Sequence, residues 1–383
     1  MPLDAARIPF DAPAIAVKEP GADFLAEARL LARAVACSDG PLPAELAGDR
    51  EVIDRHCAQL RPAIARYRAA YFGAARAWFG SHVPADAPRA IVYPFAGGDL
   101  LSALVAFPDA TEITTLSLEL AGDPRTLAQL APADLERELA TFRRESGVLI
   151  VVGSNTSKNL SAQQTNALPG EVCSFLLALV AGGYEPVAMR YFTLDERGQL
   201  HYLEAAEIAG DTAATHSLRG LWQRPAFAGS FRNVELRYTR PGDPTVRVHR
   251  HIAWNLDDAT LAKEPAVLRY LEGKGKVTVL VKGGSYLLWL EDFSRLREYL
   301  VTHLAWMLSD STGIPPAVAE RAGLVEEPYG RFDGPVVTQV DGNATDLAMR
   351  ALWQHPVGPM PFRFGYLDKL GNRHVLITRR ASR

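Results

Sequence analysis

The chain has 383 residues, 48% of them hydrophobic and 22% charged, with a formal net charge of −3. That balance belongs to an ordinary globular protein with a sizeable core, and it excludes a disordered or fibrous chain. It provides no general electrostatic pull toward nucleic acid or an anionic membrane, so neither is expected as a partner, and no apolar run approaches the roughly 18 residues that span a bilayer.

The opening MPLDAARIPFDAPAIAVKEPG has no basic start followed by an apolar stretch, so the chain as given reads as soluble and cytoplasmic; an exported protein relieved of its leader would read the same. From Phe24 to about Val83, in FLAEARLLARAVA and REVIDRHCAQLRPAIARYRAAYFGAARAWFG, apolar positions recur every three or four residues, which predicts helices. The proline-rich SHVPADAPRA ends them, dividing a helical N-terminal segment, 1–87, from an α/β region, 88–383. Cys37, Cys57 and Cys173 form no CxxC pair and no disulfide framework, leaving room for a single bridge.

From Ala90 strand-like and helical runs alternate: AIVYPF, DLLSALVAF, EITTLSLE, PADLERELATFRRE and GVLIVVG. The alternation predicts βαβ units and a Rossmann-like, mostly parallel sheet. SNTSKNLSAQQTNALPG has no periodicity and reads as a long loop, 154–169, after which 171–182 is helical. EPVAMRYFTLDERGQLHYLEA and NVELRYTRPGDPTVRVHRHIAW read as hairpins turning at DERG and PGDP. DDATLAKEPAVLRYLEG is helical with Asp257 and Asp258 as first-turn acids, and GKVTVLVKGG is a strand. The run 294–309 reads as one amphipathic helix with Leu296, Leu300, Leu304 and Leu308 on a stripe, and FRFGYLDKLGNRHVLITRR as a last hairpin turning around DKLGN. The expected fold is therefore α/β: a Rossmann-like, mostly parallel sheet with added antiparallel hairpins and a helical N-terminal segment.

The most informative stretch is IVYPFAGGDLL, 91–101, a strand running through two glycines into a helix. It reads either as the floor of a cofactor site, formed by Ala96, Gly97, Gly98 and Asp99, or as a tight turn whose Asp99 caps the helix. Glu119, at the end of the next strand, stands roughly 20 residues on, the spacing that lets a carboxylate accept hydrogen bonds from ribose hydroxyls. An acid at the helix start opposes a pyrophosphate, which disfavours NAD.

IVYPFAGGDLLSALVAFPDATEITTLSLE resembles motif I and the following acidic strand end of class I S-adenosylmethionine-dependent methyltransferases. The resemblance implies a small-molecule ligand, S-adenosylmethionine or a related adenosyl compound, over Ala96–Gly98 with Glu119 on the ribose; the acceptor is not implied. The sequence departs from the pattern in two places: the usual acid of the first strand is absent, with Val92 and Tyr93 in that area, and Pro94 stands where a first glycine is expected. Those departures suit a second reading, a non-catalytic binding or interaction protein on a methyltransferase-like fold. Four blocks, YPFAGGD, VLVKGGSYLLWLEDFSRLREYL, LSDSTGIPP and PFRFGY, are also similar to a group of bacterial proteins of unknown activity, which implies no function.

Lys282 and Ser285, beside two glycines after a strand, are candidate substrate-binding residues for a carboxylate or phosphate, with a ligand-free turn as the alternative. His249 and His251, two apart on a strand, share one face. That geometry occurs in metalloenzymes, but with Arg247 and Arg250 beside them and no identifiable third ligand the pair reads as a solvated polar face, and no metal is expected.

Overall fold

The computed structural model describes residues 20–150, 167–209, 229–333, 342–365, 371 and 373–381. Their strands form one ten-stranded sheet. In chain order these are β1 (Ala90–Pro94), β2 (Glu112–Ser117), β3 (Glu185–Leu194), β4 (Leu200–Tyr202), β5 (Asn233–Arg240), β6 (Asp243–Ala253), β7 (Val277–Val281), β8 (Leu304–Ser309), β9 (Leu324–Gly330) and β10 (His374–Arg380). In space the order is β4-β3-β5-β6-β2-β1-β7-β8-β10-β9. The central strands β6, β2, β1, β7 and β8 are parallel. Antiparallel strands β5, β3 and β4 extend one side, and β10 runs antiparallel between β8 and β9 on the other. The fold is α/β with a mixed sheet.

The core strands are buried on both faces, so their apolar residues run on without alternation. On β1, Ile91 and Tyr93 enter one apolar cluster and Val92 the other. The first cluster is completed by helices α1 (Leu25–Ala34), α2 (Arg50–Tyr67), α3 (Gly73–His82), α4 (Leu100–Ala106), α5 (Pro132–Ile150) and α6 (Gly170–Gly182). The second is completed by α7 (Asp258–Lys263), α8 (Ala266–Glu272), α9 (Ser294–His303) and α10 (Pro316–Arg321). Residues before position 88, among them Leu31, Ile53 and Phe79, share their core with β1 and α4. Cys37 and Cys57 are joined as a disulfide that ties the segment after α1 to α2. Closing a loop of sequence separation 20 is worth about 3 kcal/mol on the chain-entropy account.

The hairpins β3–β4 and β5–β6 form as expected. Three other expectations are corrected. The run 294–309 is not one helix: α9 stops at His303 and the next six residues are β8. LAWMLS is continuously apolar with no glycine or proline before it, and a fully buried strand of that kind cannot be told from a helix by periodicity. The last strand forms no antiparallel hairpin ladder with the described residues 362–365, which meet it only through an isolated parallel bridge between Phe364 and Arg373; β10 pairs with β8 and β9, and residues 366–370 lie outside the described set. Nor is GVLIVVG a strand where described, since α5 continues through Ile150; residues 151–166, including most of the expected long loop, lie outside.

The helical run after β6 breaks at Pro265 into α7 and α8. Asp257 caps α7 by accepting from the Thr260 N–H at 2.7 Å. Its neighbour Asp258 instead accepts from the N–H groups of Ser294 and Arg295, at 3.1 and 2.9 Å, and so caps α9 across the chain. Asp258→Ala is expected to cost about 1 kcal/mol in a urea titration, the worth of a helix cap.

Candidate functional site

The carboxyl ends of β1, β2, β7 and β8 gather an unusual density of acids. After Pro94 the chain turns sharply, with Phe95 and Gly97 at positive φ, 59° and 53°. A bulky aromatic in that conformation is an outlier, and such outliers collect at functional sites. The Ala96 N–H donates to the Leu116 carbonyl at 3.1 Å, tying the turn to β2. Asp99 then caps α4, accepting from the Ser102 N–H at 3.1 Å. Its second oxygen accepts from the Tyr93 hydroxyl at 3.1 Å and from Lys282 Nζ at 3.2 Å. Lys282 Nζ also donates to Ser102 Oγ at 2.9 Å.

One glycine of each pair is needed for close approach. A Cβ on Gly98 would stand 2.9 Å from Ser174 Cβ and against the Glu171 carboxyl, and one on Gly284 would stand 2.6 Å from Phe95 Cβ. Gly98 thus leaves room for the first turn of α6, and Gly284 for the β1 turn.

Glu119, two residues past β2, is buried. Its main chain is held from β6, because its carbonyl accepts from His251 Nε2 at 2.7 Å. The following segment lies against α6, whose Val172 N–H donates to the Ala121 carbonyl at 3.1 Å, and this docking brings Glu171 to the same place. Glu171 is only 1% exposed, and neither of its carboxyl oxygens has a hydrogen-bond partner among the described residues; nor has Glu119 Oε2. Burial raises the Glu119 carboxyl, against the pull of the Ser117 hydroxyl and the main-chain N–H groups of Glu119 and Leu118. Burial followed by the charge of Glu119 raises Glu171 well above the ordinary range. Two such carboxyls in one low-dielectric place do not both ionise at neutral pH.

Ser285 is fully buried and its hydroxyl is bonded to Asp310 and Thr312. Asp310, just past β8, also accepts from the Gly283 N–H at 2.7 Å, so it braces the loop that carries Lys282. Burial pushes its carboxyl up to about 7, against several hydrogen bonds that favour the ionised form.

His249 and His251 are not a solvated face: both are 0% exposed. Strand periodicity turns Arg250 to the opposite face and the histidines inward, where Phe175 lies 4.5 and 5.0 Å from their rings. Their tautomers follow from their partners. The Glu119 carbonyl can only accept, so His251 carries its proton on Nε2, and its Nδ1 accepts from Thr115 Oγ1 at 3.1 Å. The Thr115 oxygen then accepts from His249 Nε2 at 2.9 Å. Burial lowers both histidines, His251 to about 4, so both are neutral struts for the Glu119 end of β2.

Among the described residues the group of histidine, cysteine and acidic side chains spaced to share a metal ion is Cys37, His56 and Cys57, not the pair on β6. No helix of the described residues is long and apolar enough to cross a membrane. Comparison with protein-family models, curated proteins and solved structures found no match.

Of the residues expected from the sequence, Ala96, Gly97, Gly98 and Asp99 form the turn between β1 and α4, and Lys282 meets Asp99 across it. Glu119 stands at the end of β2, and Ser285 is committed to Asp310. Sequence reasoning missed Glu171 and Asp310. A lone acid opening the otherwise apolar VCSFLLALVAG, and an acid in SDSTG directly after a buried strand, were the available signals.

Proposed function

We propose that this chain binds S-adenosylmethionine or a related adenosyl ligand at the carboxyl edge of β1, β2 and β7, as a methyltransferase whose acceptor its own sequence does not name. The observation that carries the reading is Glu119 Oε2, a buried acceptor past the end of β2 without a donor among the described residues. A ribose diol supplies the missing O–H donors, and a buried acceptor left without one otherwise costs about 1–3 kcal/mol.

Two further features support it. Counted in chain order, the parallel strands stand third, second, first, fourth, fifth across the sheet. The switch therefore falls between β1 and β7, and in open α/β sheets ligands sit outside the strand ends at such a point. Asp99 also caps α4 at the place where a pyrophosphate would sit, which opposes a dinucleotide and leaves an adenosyl compound without phosphates as the better fit. Methyl transfer asks the protein mainly to align sulfonium and acceptor, so it requires few catalytic side chains.

The second reading, a non-catalytic relative that has kept the sheet, is favoured by the way Glu171, Ser174 and Phe95 occupy the space over Gly98 and Gly284. A thermal-shift panel separates the two. S-adenosylmethionine and S-adenosylhomocysteine are expected to raise Tm, with NAD and ATP inert, since a ligand at 100 times its Kd adds about 2.7 kcal/mol. Glu119→Gln is expected to abolish the shift in a protein that still melts cooperatively. No shift with either adenosyl compound at millimolar concentration defeats the methyltransferase reading and leaves the non-catalytic one.

A further inference from the structure

A separate cluster lies between α1 and α2, and the proposed adenosyl site does not use it. Cys37 and Cys57 are 3% and 1% exposed and His56 is 1% exposed, with ligand atoms all within 4.8 Å of one another. Both ring nitrogens of His56 are engaged while the disulfide is closed. Its Nε2 lies 2.8 Å from the Val35 carbonyl, which can only accept, so the proton sits on Nε2 and Nδ1 is left as a lone pair. A histidine whose other nitrogen donates to a backbone carbonyl is the arrangement that fixes metal-binding imidazoles. In the disulfide form Arg143 Nη1 donates to that lone pair at 2.9 Å from a half-buried side chain that can swing to solvent. Arg33 Nη1, 3.9 Å from Cys57 Sγ, is placed to favour a thiolate there.

We propose that, once the Cys37–Cys57 bond is reduced, Cys37, Cys57 and the His56 imidazole bind a soft divalent metal ion, zinc by preference. Reduction needs a thiol reductant. It delivers two electrons and two protons to the sulfurs and leaves as its own disulfide; the ion then displaces the two protons as two metal–sulfur bonds form. Thiolate and imidazole together suit zinc, and three protein ligands leave a fourth tetrahedral position for water. The segment after α1 is thus pinned to α2 in either state, by a sulfur–sulfur bond or through the ion.

The test uses the full chain kept reduced under nitrogen with a thiol reductant, freed of metal with a chelator and then titrated with cobalt(II) or zinc(II) alone. The expected result is one ion per chain, a tetrahedral thiolate–cobalt spectrum, and release of two protons per ion in weakly buffered solution. Cys57→Ser should abolish the thiolate charge-transfer band, and His56→Ala should weaken binding by about tenfold or more. The wild-type spectrum and proton count carry the test should either variant fold poorly. Adding a thiol oxidant should expel the ion as the disulfide re-forms. Reduced, folded protein with two free thiols and no bound cobalt overturns the proposal, as does a bond that no reductant opens short of unfolding.

Discussion

Replacing Arg250 by alanine is expected to lower the unfolding free energy by about 3 kcal/mol or more, the cost of breaking a buried ion pair from one side. Arg250 stands on β6, its Nε 2.7 Å from Glu235 on β5 and its Nη1 2.9 Å from Glu112 on β2. It therefore joins the parallel core to the antiparallel extension. Glu235 is almost fully buried and its second oxygen is held by Arg237 at 2.8 Å. Burial pushes Glu112 up, but Lys274 and Arg250 outweigh it and bring it down to about 2. Removing Arg250 leaves two carboxylates short of their partner. Urea titration should show the midpoint falling, and Glu112→Gln with Glu235→Gln in the same chain should restore part of the loss. A drop under about 1 kcal/mol, the range of exposed pairs, would show that the network carries little.

The second large effect is on pH. Burial raises Asp310 to about 7 and Glu326 to about 8, and it raises Glu119 and Glu171 as well. Below those values the folded protein holds protons that the unfolded chain has already lost, so these acids stabilise at low pH and lose stability as pH rises. The slope is about 1.4 kcal/mol per pH unit for each acid. Burial acts oppositely on the bases, lowering His56 and His251 to about 4 and His249 well below its ordinary value. They cost stability as pH falls below about 6.5, where the unfolded histidine takes up a proton. Between about 4 and 6.5 the two sets oppose each other. Above 6.5 the acids act without that opposition, and Tm is expected to fall from pH 6.5 to 8.5, with Asp310 and Glu326 together accounting for a loss of about 2–3 kcal/mol. Glu326→Gln and Asp310→Asn should each flatten that limb. A Tm that is level or rising across the interval contradicts the assignment.

Much of the fold was legible because alternating strand and helix periods are local. β1, β2, β7 and the two hairpins could be read from runs such as IVYPF and VTVLV and from turns such as DERG. β8 was hidden because Leu304 and Leu308 continue the four-residue spacing of Leu296 and Leu300, so helix and strand share one pattern until a parallel neighbour chooses between them. The histidines were misjudged for a related reason. Arg247 and Arg250 suggested water, but which face meets water is decided by α6 laying Phe175 over β6. At the candidate site Asp99 was readable as a cap from its place before LLSALVA, whereas Glu171 reaches Gly98 only through the docking of α6 on the segment after β2, and no spacing in the sequence encodes that contact.

The position of β10 bears on how the sheet is assembled during synthesis. It bonds to β8 through Leu376–Arg379 and to β9 along its whole length, and no ladder joins β8 to β9 directly. A nascent chain that has extruded residues 304–330 but not 374–380 carries two open edges that must wait for a later segment to slot between them. Over that interval the half-built sheet is at its most exposed to pairing with other chains, and holdase chaperones have the most to bind.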